Sequence, residues 1–223
     1  MSYYPILVDL KDKKVVVVGG GMVAQRKIDT LLECGADVYI ISQELTPELQ
    51  KRLEEEKIRL LGRRFSEGYL QGAFLVIAST DDSTLNRRVS AVAREMGILV
   101  NTVDQPADSN FIVPSVIKRG DLLIAVSTSG KSPAMAKRIR ERLSRQFGSE
   151  YENFFLLMGR LRKEILSRGL SQEDNSRIFR ELVDSPILES ICRKDWKEIA
   201  SNLERILQMR ISPEDVINYI KAE

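Results

Sequence analysis

The sequence predicts an α/β protein: a Rossmann-like parallel sheet, then a small β/α segment, then an all-helical C-terminal domain. Three observations carry that expectation. The run Val15-Val-Val-Val-Gly-Gly-Gly-Met-Val-Ala-Gln-Arg-Lys27 reads as strand, glycine turn and helix start in direct succession. Apolar strands and amphipathic helices then alternate as far as Asn101, the pattern of a doubly wound sheet. From Ser149 onward only helical segments follow one another.

Composition narrows the class. The 223 residues, 43% apolar and 30% charged, suit a soluble globular chain of one large or two smaller domains. No apolar run approaches the roughly 20 residues that span a bilayer. The start, Met1-Ser-Tyr-Tyr-Pro5, lacks the basic and apolar regions of a signal peptide. Cys34 and Cys192 are far apart, and Cys34 falls in an apolar helical pattern, where a buried reduced thiol is expected. A cytoplasmic location follows. Histidine is absent, which excludes a His base or triad and leaves acid–base work to Asp, Glu, Lys or Tyr. No protein metal site is expected. The net charge of +2 selects no partner.

The elements follow in order. Four valines in a row, Val15 to Val18, suit a strand buried on both faces. Gly19, Gly21 and Ala24 form G-x-G-x-x-A, a turn that offers helix N-terminal N–H groups to a pyrophosphate. Val23, Ile28, Leu31 and Leu32 keep an apolar helical stripe, which Gly35 ends as the residue beyond the cap. Asp37–Ile41 is the second strand. An acid often ends this strand to hold the adenosine ribose, but here it ends in Ser42-Gln43-Glu44. Glu44 is late, so ribose contact falls to Ser42, Gln43 or the backbone instead. No Arg directly follows the strand, which favours NAD over NADP.

Thr46 caps, and Pro47 begins, a helix to about Glu56. Ile58–Leu61 and Phe74–Ala78 are strands. Ser79-Thr80-Asp81-Asp82 then lies at the ligand side of the sheet, where Thr80 and Asp81 are cofactor candidates and helix capping is the competing role. A helix from Ser83 to Met96 and a fifth strand, Ile98–Asn101, follow. In the polar loop after it, Asp104 is the best-placed general base in a chain without histidine, and Asp108 reads as a turn residue. Phe111–Val113 continues as a strand. Lys118-Arg-Gly-Asp121 reads as a hairpin turn between Val116-Ile117 and Leu122–Val126. The remaining helices are placed at Ser132–Phe147, Tyr151–Arg168, Ser171–Val183, Pro186–Cys192, Asp195–Met209 and Pro213–Ala222.

Ala125-Val-Ser-Thr-Ser-Gly-Lys-Ser132 mimics a phosphate-binding loop of nucleotide triphosphatases. Ala125 lies inside the strand, Pro133 removes a backbone donor, and no downstream strand ends in a magnesium-binding Asp, so that reading is rejected. Anion binding at this helix start stays open. The helix carries Lys131, Lys137, Arg138, Arg140, Arg142 and Arg145 against Glu141, a net +5. It is either a solvated face or a cradle for a polyanion. No aromatic interleaving accompanies the charge, so nucleic acid is not expected.

Taken together, Pro5–Leu10, Val17–Lys27, Ala78–Asp82 with Asn86, Asn101–Asp104 with Phe111 and Pro114-Ser115, and Ser127–Ala134 occur in one order. In that order they resemble the precorrin-2 dehydrogenases, the NAD-binding module of siroheme synthases. The likeness covers residues 1 to about 147; the tail is similar only in type and length. The resemblance implies oxidation of precorrin-2 to sirohydrochlorin with NAD, and in some members ferrous iron insertion into the product. It implies an NAD-binding domain at 1–113, a segment at 114–148 forming an intertwined homodimer, and a helical C-terminal domain at 149–223. It places the essential aspartate on Asp104 and cofactor contacts on Met22, Val23, Gln43 and Glu44. A tetrapyrrole rich in carboxylates suits the +5 helix, with Ser127, Thr128, Lys131, Ser132, Lys137 and Arg138 as candidate contacts. Thr128 stands where fused siroheme synthases often have a phosphorylated Ser, and the length implies a stand-alone form. The competing class is a dinucleotide-sensing module without catalysis; an Asp-bearing rim and a basic helix favour the enzyme.

Overall fold

A computed structural model describes residues 3–103 and 105–221; Asp104, and the helix end expected at Ala222, lie outside them. The chain forms two compact units, Met1–Val113 and Pro114–Glu223.

In the first unit the elements are β1 (Lys14–Val18), α1 (Met22–Glu33), β2 (Asp37–Ile41), α2 (Pro47–Glu54), β3 (Arg59–Gly62), β4 (Leu75–Ala78), α3 (Ser83–Glu95) and β5 (Leu99–Thr102). The strands pair in the order β3-β2-β1-β4-β5, all parallel. β1 is central because it is apolar on both faces. Val15 and Val17 join Ala24, Ile28 and Leu31 of α1 in one core layer. Val16 and Val18 join Val89 and Ala93 of α3 in the other. The chain runs outward from β1 to β3, then returns to β4 on the opposite side. That reversal opens a crevice at the carboxyl ends of β1 and β4.

Local chemistry sets the helix ends. Gly35, at φ +73°, follows the last turn of α1. Thr46 Oγ1 accepts from Leu49 N at 3.3 Å, with Pro47 leading α2. Asp82 Oδ1 accepts from Thr84 N and Leu85 N at 2.9 and 3.1 Å. Asp82 is therefore the cap of α3.

In the second unit β6 (Ser115–Arg119) and β7 (Leu122–Val126) form an antiparallel hairpin. Gly120 turns it at φ +56°. Arg119 donates to Phe147 O at 3.1 Å and Ser144 Oγ at 3.0 Å, tying the hairpin to α4 (Pro133–Gln146). Then come α5 (Glu150–Ser167), α6 (Gln172–Val183), α7 (Ile187–Arg193), α8 (Trp196–Leu207) and α9 (Pro213–Ile220). They bury one shared core around Leu157, Leu161, Leu182, Ile199 and Leu203. No helix among the described residues is long and apolar enough to cross a membrane.

Two expectations fail. Phe111–Val113 is not a strand. The outer edge of β5 is met instead by Ser109 and Asn110: Asn110 Oδ1 accepts from Val100 N at 2.7 Å and Nδ2 donates to Ile98 O at 3.0 Å, while Asn110 N donates to Val100 O at 3.0 Å. With those backbone groups satisfied, no sixth strand is needed. Cys34 is exposed rather than buried, because it is the cap residue past the last turn of α1, off the apolar stripe. Short 3-10 turns at Glu67–Leu70 and Pro106–Asp108 complete the unit; neither has a periodicity readable in the sequence.

Replacing Asn110 with Ala strips the side-chain partners of Val100 N and Ile98 O, two part-buried bonds. Urea denaturation should show a loss of about 1 kcal/mol.

Candidate functional site

Three carboxyl-terminal turns of the first unit enclose a cleft of about 760 Å³. Its floor is Gly19–Gly21, one wall is Ser42–Thr46, and the other is Ser79–Asp82.

The three glycines do different work. Gly19 has φ +119°, and a Cβ there would lie 2.5 Å from Ser79 O. At Gly20 a Cβ would lie 2.1 Å from Glu44 O. Both positions are closed to side chains by the protein's own backbone. Gly21 differs: its φ of −82° suits any residue, and a Cβ there meets nothing within 4 Å. That space belongs to the cleft. Directly behind it α1 begins with no side-chain cap and no acidic residue in its first turn. An uncapped helix N-terminus beside open space fits a pyrophosphate, whose oxygens would take the free N–H groups.

The walls are held by hydrogen bonds from the same motif. Gly19 N donates to Ile41 O at 2.9 Å, and Thr46 N donates to Gly20 O at 3.1 Å. Thr46 Oγ1 donates to Gln25 Oε1 at 2.7 Å, and Ser42 Oγ donates to Glu44 O at 2.6 Å. Opposite, Asn86 is 1% exposed and clamps Thr80. Its Nδ2 donates to Thr80 O at 2.9 Å, while its Oδ1 accepts from Thr80 N at 3.2 Å and Thr80 Oγ1 at 2.8 Å. Asn86 thus shapes the cleft without lining it.

Of the cofactor candidates, Gly19, Gly21, Val23, Ser42, Gln43, Glu44, Thr80 and Asp81 border this cleft. Met22 is 64% exposed as the first residue of α1 and does not line it. Lys27, the last residue of the motif, is half-buried away from the cleft, and burial, then the Arg26 charge, lowers its pKa. Sequence reasoning missed Arg63, Arg64, Phe65 and Arg88, which also line the cleft. Arg88 reaches Glu67 at 2.7 Å and lies 5.9 Å from the Phe65 ring centre. The available signal was a basic pair directly after the third strand.

Asp104 itself lies outside the described residues. The chain on either side is firmly held. Thr102 N donates to Ser109 Oγ at 2.9 Å, and Asn101 Nδ2 donates to Phe111 O at 3.1 Å. Arg94 donates to Ala107 O at 2.8 Å and Ser109 O at 3.1 Å. Asp108 sits in the 3-10 turn, its carbonyl accepting from Ser90 Oγ.

The remaining candidates belong to the second unit. Ser127 Oγ accepts from Ser129 N at 3.0 Å, Thr128 Oγ1 from Ser132 N at 3.1 Å, and Ser132 Oγ caps α4 through Met135 N at 3.3 Å. The hydroxyls build the loop but keep their own protons to donate. Lys131, Lys137 and Arg138 are exposed. Glu141 lies 4.0 Å from Lys137 and 3.5 Å from Arg140, so one carboxylate serves two cations and the helix stays strongly basic.

Comparison with known proteins gives two adjoining matches. Residues 6–115 match the model described as putative NAD(P)-binding, and residues 119–146 match that of the sirohaem biosynthesis protein central domain. Siroheme synthase 1 of Serratia proteamaculans is 36% identical over 208 residues, 93% of this chain and 44% of the relative. The siroheme synthase of Methylobacillus flagellatus is 41% identical over 211 residues, 94% of this chain and 45% of the relative. The chain thus spans less than half the length of these relatives. Among solved structures, "SirC, precorrin-2 dehydrogenase" superposes with a TM-score of 0.75 at 26% identity, covering 93% of this chain and all of that one.

The glycine geometry separates fold from ligand. Gly19→Ala and Gly20→Ala should lower the thermal midpoint, since each Cβ meets backbone. Gly21→Val should leave the midpoint within a degree or two of wild type yet weaken NAD at least tenfold by calorimetry. Asn86→Ala removes three bonds from Thr80, and NAD affinity should fall about tenfold, matching roughly 1–2 kcal/mol for a buried pair.

Proposed function

We propose that this chain, which is similar to the N-terminal part of siroheme synthases and to a precorrin-2 dehydrogenase, oxidises precorrin-2 to sirohydrochlorin with NAD. The observation that carries the reading is the cleft whose one open backbone position, Gly21, faces an uncapped helix start.

The NAD-binding residues would be Gly19, Gly21 and Val23 at the floor, Ser42–Glu44 along one wall, and Thr80 and Asp81 along the other. The bound dinucleotide supplies the hydride acceptor. Every other part of the reaction falls to the chain. Dehydrogenation also releases a proton, and in a chain without histidine it falls to an Asp, Glu, Lys or Tyr to take or relay it. We assign that role to Asp104, which follows Thr102-Val103 in the sequence just past β5. Support is positional: parallel strands present their ligand side at their carboxyl ends. Meanwhile, the basic face of α4, with Lys131, Lys137 and Arg138, would draw in a substrate rich in carboxylates. Ser127, Thr128 and Ser132 would offer hydroxyl donors beside it.

We further propose that residues 114–148 act as a pairing segment for a homodimer and that residues 149–223 form a helical C-terminal domain. Val116 and Leu123 leave β6 and β7 at 40% and 42% exposed, an apolar surface suited to a second copy. Two unpaired, exposed cysteines fit a reducing cytoplasm.

Mixed anaerobically with NAD and precorrin-2, the protein should produce NADH well above a protein-free control. Absence of NADH while NAD still binds would favour the dinucleotide-sensing alternative. Asp104→Asn should keep NAD affinity but lose about 100-fold or more in turnover; an active variant would remove Asp104 from the role. Lys137→Ala/Arg138→Ala should raise KM for the tetrapyrrole severalfold and flatten its dependence on salt. Ferrous ion added to sirohydrochlorin distinguishes a dehydrogenase from a bifunctional dehydrogenase–chelatase by whether siroheme forms above the protein-free rate.

A further inference from the structure

We propose that Arg63 and Arg64 form a 2′-phosphate subsite at the adenosine end of the cleft, so that it accepts NADP as well as NAD. The proposal rests on the dinucleotide reading of that cleft and extends it to a second cofactor.

In a Rossmann unit the end of the second strand decides between the two cofactors. An acid there accepts from the ribose 2′-OH, whereas a nearby Arg meets a 2′-phosphate. Here the end of β2 is neutral, Ser42-Gln43, with Glu44 one residue further. Ser42 uses its hydroxyl proton on Glu44 O at 2.6 Å. The cations come from the neighbouring strand. β3 pairs with β2, and Ser42 N donates to Gly62 O at 3.2 Å. Arg63 is the next residue, so the basic pair begins beside the turn that selects the cofactor.

A register shift aims it there. Ile40 pairs with Leu60 but Ile41 pairs with Gly62, leaving Leu61 as an extra residue on β3. Such bulges redirect the chain at a strand end. Tyr69 fixes the result by packing over Gly62, where a Cβ would lie 2.7 Å from its hydroxyl. Both arginines consequently border the cleft.

Neither cation is neutralised. Among the described residues, Arg52, Arg59 and Arg88 pair with Asp29, Asp37 and Glu67, whereas Arg63 and Arg64 have no ion pair. Both are exposed. Three carboxylate residues line the cleft: Glu44 in the wall after β2, and Asp81 and Asp82 in the opposite wall, where Asp82 is engaged as the cap of α3. Two guanidinium forks without an ion pair offer positive charge and several free donors, the requirement of a phosphate monoester.

Calorimetric titration of the full chain with NAD, NADP, 2′,5′-ADP and 5′-AMP tests this, alongside an Arg63→Ala/Arg64→Ala variant checked for an unchanged circular dichroism spectrum. The expected results are an NADP Kd within tenfold of that for NAD, and 2′,5′-ADP binding more tightly than 5′-AMP. In the variant the NADP-to-NAD affinity ratio should drop at least tenfold. NADP more than tenfold weaker than NAD in the wild type, or a ratio unmoved by the variant, overturns the proposal while leaving the NAD reading intact. Failure of both dinucleotides to bind would instead overturn the cofactor reading, and this proposal with it. Should the double variant not fold, the single variants Arg63→Gln and Arg64→Gln give the same ratio test.

Discussion

The close approach of backbone to backbone at Gly19 and Gly20 is the constraint on which the nucleotide-binding unit depends. Gly19 presses on Ser79 at the end of β4, and Gly20 on Glu44 after β2. Those contacts bring the ends of three strands to one point. They also leave Gly21 facing open space, with α1 starting behind it. The valines of β1 make this arrangement affordable in stability terms, because they are buried in both core layers and cannot shift to relieve a bad contact. The turn is thus closed to side chains at Gly19 and Gly20 and open at Gly21.

The parts of the fold legible in the sequence were those whose cause is local. Four consecutive valines, glycine after a helical stripe, and Thr-Pro or Ser-Pro at a helix start each act within a few residues. Their elements appear within a residue or two of where pattern and capping chemistry place them. Of the two failures, one has a non-local cause and the other a local one. Nothing near Phe111 in the sequence reveals that Asn110 will satisfy Val100 and Ile98 and so close the sheet. Cys34 looked buried because the apolar stripe was extended one residue past its last turn.

The site divides the same way. Glycines and strand-end residues could be found by motif, since strand ends of a parallel sheet share one rim. Arg63 and Arg64 could not, because their position depends on β3 lying beside β2 and on the bulge at Leu61. Asn86 stood in a recognised motif, yet its work is to hold Thr80 rather than to touch a ligand. Charge is also distributed by role. In the first unit, cations line the cleft through Arg63, Arg64 and Arg88; in the second they crowd α4 with Glu141 alone among them. A cofactor bearing phosphates and a substrate bearing carboxylates would each meet a separate basic surface.

The central claim is that the amides at the start of α1 hold the pyrophosphate of a dinucleotide. Nuclear magnetic resonance of ¹⁵N-labelled protein titrated with NAD addresses those groups one by one. The amide signals of Met22, Val23 and Ala24 should shift in proportion to saturation, together with Gly21 and the Ser42–Glu44 turn. Saturation with NAD that leaves Met22, Val23 and Ala24 unmoved would place the dinucleotide elsewhere and contradict the account.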